Sequence, residues 1–292
     1  STVSFERHQA MAVPIIGTVL KKTFGTRNDR MVKHYLSRVA KINALESDYV
    51  NLTDRELKAK TTEFRTRVRD GETAYDMIPE IFAVAREAMD RSVGIRNIFN
   101  PAEEFDRDTL PESVRALFDQ TKATMEGIED APPEGDLAGC STPTPSWQLV
   151  DIPVEIYHAV RELYPDSKPP FRARPFDVQL IGGIVLSQGK IAEMKTGEGK
   201  TIVAPLASCL ACIEEKQVHV ITVNDYLVQR DRDWVFPFYR AMGLTVGAIH
   251  PQHIQTPDEK KLAYTCDAIY GTTSEFGFDY LRDNMKLRPE DQ

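Results

Sequence analysis

The chain has 292 residues and carries 36 basic against 44 acidic side chains, a formal net charge of −8. A hydrophobic fraction of 41% with 27% charged residues is typical of a soluble globular protein and excludes wholesale disorder. No run of about 18 apolar residues occurs, which excludes a helical membrane span. Four cysteines are too few for a disulfide framework, which favours the cytoplasm, and the acidic balance argues against nucleic acid as the main partner.

Charge and proline divide the chain into three regions. Residues 1–96 hold 17 basic and 13 acidic side chains, residues 97–173 hold 6 and 15, and residues 174–292 hold 13 and 16. The middle region, called the acidic segment below, also contains 10 of the 18 prolines, which break helices and central strands. We therefore predict domain boundaries near residues 96 and 173.

The first region has the spacing of helices. A short basic amphipathic helix is predicted over 14–24 and a longer one over 29–45. Thr53 and Glu56 have the spacing of a capping box, and Pro79 suits the first position of a further helix. We expect this region, 1–96, to pack on the rest of the molecule as a helical unit.

The acidic segment contains two shorter helical patterns, over 111–126 and 153–164. Between them, residues 131–146 are rich in proline, glycine, serine and threonine, and part of this stretch is predicted to be disordered. Trp147 follows it and is interpreted as a local packing anchor.

Strands and helices alternate in the third region, which predicts an α/β fold with a parallel sheet covered on both faces. The predicted strands are 191–194, 218–223, 244–249 and 268–270, and the predicted helices are 200–215, 225–242, 257–264 and 274–285.

A phosphate-binding loop is the strongest chemical signal. Residues 194–201 read Met-Lys-Thr-Gly-Glu-Gly-Lys-Thr between a predicted strand and a predicted helix. Gly197 and Gly199 allow a tight turn whose N–H groups face phosphate oxygens, and the helix N-terminus adds roughly half a positive charge. Lys200 would reach the β- and γ-phosphates, and the Thr201 hydroxyl would hold Mg²⁺. Met194 stands where the full pattern has its first glycine.

A candidate base-binding element lies 18 residues before Gly197. The Gln179 amide can pair with adenine N6 and N7, and Phe176 could stack on the base. These two residues would favour ATP over GTP, whose base offers an acceptor where adenine offers a donor.

Several long motifs together resemble the SecA family, the ATPase motors of bacterial protein export. They occupy residues 24–30, 62–67, 176–180, 194–201, 222–231 and 270–285. The resemblance implies a RecA-like, superfamily 2 helicase-like lobe that binds ATP and Mg²⁺. Gln179 would then read adenine, 197–201 would form the phosphate loop with Glu198 inside it, and Lys195 and Thr196 would line the same nucleotide.

The resemblance also implies partners and a location. A preprotein would be pushed through a SecY-type membrane channel by a protein that lies in the cytoplasm and peripherally on the inner face of the cell membrane. Association into homodimers is a further expectation. The basic stretch 14–24 could lie on anionic lipid or could simply pack on the motor.

Two departures from the family pattern stand out. The acidic segment has no counterpart in the typical family layout and is interpreted as an insertion of about 75 residues. No Asp-Glu-x-Asp motif follows an apolar strand, so the catalytic set is incomplete. We expect 174–292 to be a truncated lobe that binds nucleotide weakly and hydrolyses essentially none.

Two other functions remain open at this stage: a related ATPase that moves along nucleic acid, and a non-catalytic fragment that binds nucleotide or lipid. Weaker signals receive structural interpretations. Cys209 and Cys212 are interpreted as small buried helix residues rather than metal ligands, and His250 and His253 as residues of a loop that follows a strand.

Overall fold

The computed structural model describes residues 27–134, 137 and 142–286. The helices are α1 Arg27–Tyr49, α2 Asp54–Arg69, α3 Ile78–Met89, α4 Glu112–Glu126, α5 Val154–Leu163, α6 Asp177–Ser187, α7 Lys200–Ile213, α8 Asp225–Ala241, α9 Pro257–Ala263 and α10 Thr273–Asn284. The strands are β1 Val218–Thr222, β2 Val246–Ala248 and β3 Ala268–Thr272. A π-helical turn, Asp90–Gly94, and a 3-10 turn, Ile95–Phe99, continue directly from α3.

The three strands form a parallel sheet in the order β1–β3–β2. Ala268 is the register partner of both Val218 and Val246, so β3 is the central strand and is buried along its whole length. Parallel strands need crossover connections, and α8 links β1 to β2 while α9 links β2 to β3. α10 follows β3 and packs against it. The parallel sheet predicted from the alternating pattern is therefore confirmed.

The predicted strand over 191–194 is wrong. These residues have no strand structure, and Ile191 is 94% exposed. A strand needs a neighbour to satisfy its backbone groups, and within the described residues no strand pairs with this one. The strand was predicted from the apolar residues of this stretch alone, and these residues do not show whether a neighbouring strand exists.

Most helix predictions are confirmed to within a few residues. The Thr53 side chain accepts from the Glu56 N–H, and the Glu56 carboxylate accepts from the Thr53 N–H at 2.8 Å, so the predicted capping box caps α2. Pro79 lies in the first turn of α3. The predicted helix over 14–24 lies outside the described residues. No helix in the described ranges is long and apolar enough to cross a bilayer.

Two apolar clusters account for most of the interior of the described chain. The larger one joins α1, α2 and α3 to α6, α7, α8 and the sheet. The second belongs to the acidic segment and its immediate approach, where Phe99 stacks on Phe118 at 4.6 Å between ring centroids and Ile156 and Tyr157 are fully buried. Trp147 packs on this second cluster, which confirms its interpretation as a packing anchor.

The stretch predicted to contain disorder is described only in part, because residues 135–136 and 138–141 lie outside the described residues. On either side of them, Ala131 and Thr144 form an antiparallel bridge whose two N–H···O distances are 2.9 and 2.8 Å. The described part of the acidic segment thus has two helices with a core of their own, and the Ala131–Thr144 bridge.

Candidate nucleotide-binding site

The phosphate loop lies at the N-terminus of α7, as the sequence predicts. Gly197 and Gly199 have φ of +87° and +73°, values that side-chain-bearing residues rarely adopt. α7 begins at Lys200, so the N–H groups of Lys200 and Thr201 are among those for which a helix offers no internal acceptor. The loop and the helix dipole together form a cradle for an anion.

Three contacts within the loop hold it in its present shape. Lys200 Nζ donates to the Lys195 carbonyl at 2.7 Å, the Lys195 N–H donates to Glu198 Oε2 at 2.6 Å, and the Glu198 N–H donates to the Lys195 carbonyl at 3.3 Å. Lys195, Thr196, Glu198 and Lys200 are all exposed. Because the Lys200 bond lies in solvent, it costs little to exchange its acceptor for a phosphate oxygen.

Gln179 connects the loop to α6. Its Oε1 accepts from the Phe176 N–H at 2.7 Å at the start of that helix, and its Nε2 donates to the Glu198 carbonyl at 3.0 Å. The side chain is buried, and a Cβ on Gly199 would lie 2.4 Å from Nε2. Glycine at 199 is therefore required for this contact as well as for the turn.

One cavity of about 590 Å³ brings most of the predicted site residues together. Phe176, Gln179, Gly197, Glu198, Gly199 and Thr201 all line it. Lys195, Thr196 and Lys200 are not among its lining residues. The Lys200 side chain is turned back onto the Lys195 carbonyl. A volume of this size is in the ordinary range of small-molecule sites.

Sequence reasoning missed several residues that line the same cavity. Arg230, Asp231 and Trp234, all on α8, line the cavity. Trp234 lies one helical turn after Arg230, and Arg230 forms an ion pair with Asp231 at 2.6 Å. Spacing on the helix could have suggested Trp234. Ser167, Pro169 and Arg172 come from the acidic segment, and no local pattern places them here.

The site is suited to a nucleotide and offers no protein-built metal cage. Glycines and helix N–H groups form its anion end, with Lys200 next to the loop, while Phe176 and Trp234 are exposed aromatic surfaces. The Thr201 hydroxyl is the group that could hold Mg²⁺ beside phosphates. Among the described residues, no cluster of three or more His, Cys, Asp or Glu side chains could hold a metal ion.

The predicted burial of the two cysteines in a helix and the predicted loop position of the two histidines are confirmed. Cys209 and Cys212 are buried in α7, and burial raises the pKa of Cys212 to about 12 and that of Cys209 still further. His250 follows the end of β2, and its Nε2 lies 2.7 Å from Gln229 Oε1. Burial lowers its pKa, which favours the neutral ring.

Comparisons with known proteins show the family. The model of the SecA DEAD-like domain matches residues 20–100 and 100–292. A protein translocase subunit SecA from Pseudomonas savastanoi pv. phaseolicola is 38% identical over 274 residues, and one from Bordetella petrii is 39% identical over 275 residues. In each case the alignment covers 94% of this chain and 21% of the relative, so the chain spans about a fifth of their length. Its parallel sheet and helices are a RecA-like lobe, and the chain belongs to the SecA family through its DEAD-like domain.

Proposed function

We propose that the cavity binds ATP with Mg²⁺ and that the chain is part of an ATP-driven motor that pushes preproteins through a SecY-type channel. The observation that carries the proposal is the meeting of the phosphate loop with Gln179 and Phe176 in one cavity. The relatives are named protein translocase subunits, which supports the motor role.

In this proposal the loop binds the phosphates. Gly197 and Gly199 would present backbone N–H groups, while the Glu198 N–H and Lys200 would exchange the Lys195 carbonyl for phosphate oxygens, Lys200 reaching the β- and γ-phosphates. The Thr201 hydroxyl holds Mg²⁺, and Lys195 and Thr196 border the phosphate chain. Mg²⁺ would neutralise phosphate charge when bound.

Phe176 and Gln179 bind the base. Phe176 is 52% exposed and can stack on adenine. Gln179 would exchange its bond with the Glu198 carbonyl for one with the base edge, which would make the shape of the loop sensitive to an adenine nucleotide. This exchange would favour ATP over GTP.

The domain arrangement is part of the proposal. Residues 1–96 would contribute a helical unit packed on the lobe, 97–173 an acidic insertion, and 174–292 a nucleotide-binding lobe. The separate apolar cluster of the acidic segment, which ends at Phe171, supports the boundary near residue 173. We also propose a cytoplasmic location at the inner membrane face, contact with anionic lipid, and homodimers. No nucleic acid partner is proposed.

Nucleotide binding is the appropriate measurement on this chain. Turnover needs a carboxylate that organises Mg²⁺ and water, and the Asp-Glu-x-Asp motif that supplies it in the family does not occur in this sequence. We propose that the 292-residue chain binds ATP and hydrolyses essentially none.

Lys200→Ala tests the phosphate site. A hydrogen bond to a charged group contributes about 1.5–3 kcal/mol, so calorimetry should find MgATP affinity reduced about 10- to 150-fold. Lys216→Ala is the matched control, because it removes a 67% exposed lysine beyond the opposite end of α7 and should change affinity less than twofold. Equal affinities of the two variants would show that the phosphates bind elsewhere. In the full-length protein, Lys200→Ala should also stop preprotein uptake into vesicles that contain the channel.

A further inference from the structure

The acidic segment supplies part of the wall of the nucleotide cavity. Residues 167–173, called the arm below, contribute Ser167, Pro169 and Arg172 to the lining. Through Arg174 and Pro175 the arm leads directly to Phe176 at the start of α6. It therefore borders the part of the cavity in which the proposed function places the base, whereas the loop at α7 borders the phosphate part.

Buried ion pairs fix the arm to the end of α3. Arg172 Nε donates to both carboxylate oxygens of Asp90 at 2.9 and 3.2 Å, and the Ala173 N–H donates to Asp90 Oδ1 at 3.2 Å. Arg172 is 5% exposed and Asp90 is 1% exposed. Arg161 adds a second contact to Asp90 at 3.4 Å. A buried carboxylate whose oxygens are bonded in this way is costly to separate from its partners.

The backbone fixes the same position. A Cβ on Gly94 would lie 2.4 Å from the Ala173 nitrogen and 2.8 Å from the Arg172 Cα. The backbone at Gly94 and the backbone of the arm therefore touch without an intervening side chain. At the other end of the arm, Ser167 Oγ donates to the Arg174 carbonyl at 2.8 Å. An occupant of the cavity would meet a wall that is already ordered, which reduces the entropic cost of binding.

We propose that the arm belongs to the nucleotide site, with Ser167 and Pro169 contacting the adenosine part of a nucleoside di- or triphosphate. Arg172 is a positioning residue that holds them in place through Asp90. This inference rests on the proposed nucleotide binding and adds that the acidic segment sets the affinity for the nucleoside part of the ligand. Binding of the phosphate chain alone does not involve the arm.

Ser167→Trp tests the inference in the full-length protein by filling part of the cavity. Calorimetry with MgADP should show at least a tenfold loss of affinity, while binding of inorganic tripolyphosphate stays within twofold. Lys168→Trp adds the same bulk one residue away on a side chain that is 80% exposed, and it should change neither affinity. Ser167→Ala removes only the bond to the Arg174 carbonyl and should weaken MgADP less than threefold.

Arg172→Lys tests the positioning role, because lysine keeps the charge and loses the paired geometry. This variant should lower the affinity for MgADP several-fold and leave the affinity for tripolyphosphate unchanged. General destabilisation of the protein would not affect the two ligands differently. If Ser167→Trp leaves MgADP affinity unchanged, or weakens both ligands equally, the inference is overturned. The proposed function then still stands on the Lys200→Ala result. A wild-type protein that binds no MgADP would overturn both.

Discussion

The two walls of the cavity are built in opposite ways. The phosphate loop is mostly exposed, and apart from the bond from Gln179 its contacts described above join its own residues, such as that from Lys200 to the Lys195 carbonyl. The arm is fixed by Asp90 and Arg172, two charged residues that are almost completely buried. The phosphate loop can change its hydrogen bonds at little cost in free energy, and the arm cannot.

The two walls therefore differ in what they can do: the loop can change its shape around a ligand, and the arm keeps a fixed position. Gln179 lies between the two walls, with one amide atom on the N-terminus of α6 and the other on the loop. We expect a ligand that competes for Gln179 to change the loop and to leave the arm in place. Damage to the arm should therefore affect stability first, and damage to the loop should affect binding first.

The largest expected effect comes from breaking the arm's anchor. Asp90→Asn removes the negative charge that Arg172 and Arg161 share in the interior. Removal of one partner of a buried pair costs about 3–5 kcal/mol, so urea denaturation should show a loss of that size in the free energy of unfolding. Asp166→Asn, in the same segment but with an 80% exposed side chain, should change stability by less than about 0.5 kcal/mol. Equal stability of the two variants would mean that the Asp90 contacts do not hold the arm.

The position of the phosphate loop was predicted from the sequence, and the part of the cavity formed by the arm was not. Gly197, Gly199, Lys200 and Thr201 form a local pattern, because a tight turn at a helix N-terminus is encoded by neighbouring residues. The helices of the lobe were likewise predicted from local periodicity to within a few residues.

The features that the sequence could not predict depend on distant residues. Arg172 contacts Asp90 across 82 positions, and nothing near either residue indicates the other. The failed strand at 191–194 has the same cause, since apolar composition is local and strand pairing is not. The acidic charge of the middle segment predicted a boundary and gave no sign that its end lines the cavity.

An intermediate effect is expected where the arm touches the turn after α3. Gly94→Ala would place a methyl group 2.4 Å from the Ala173 nitrogen, so one backbone must move. Overpacking of this kind costs about 1–3 kcal/mol in the free energy of unfolding. Gly127→Ala is the matched control, because its nearest neighbour would be 3.5 Å away, and it should be close to neutral. Thermal or urea unfolding of both variants measures the difference, and a neutral Gly94→Ala would show that the close approach is not needed.

The smallest stability effect is expected in the phosphate loop, where two glycines allow a paired comparison. Both Gly197 and Gly199 have positive φ, so alanine at either should cost about 1–2 kcal/mol of local strain. Because the loop is exposed, part of this strain can relax, and unfolding should change by about 1 kcal/mol or less. The two sites differ in what a Cβ would meet: nothing within 4 Å at Gly197, and Gln179 Nε2 at 2.4 Å at Gly199. Gly199→Ala should therefore displace the Gln179 amide and weaken MgADP binding more than Gly197→Ala does, by about threefold or more in calorimetry. Equal losses would mean that Gln179 has no part in binding and that the loop acts only through its turn.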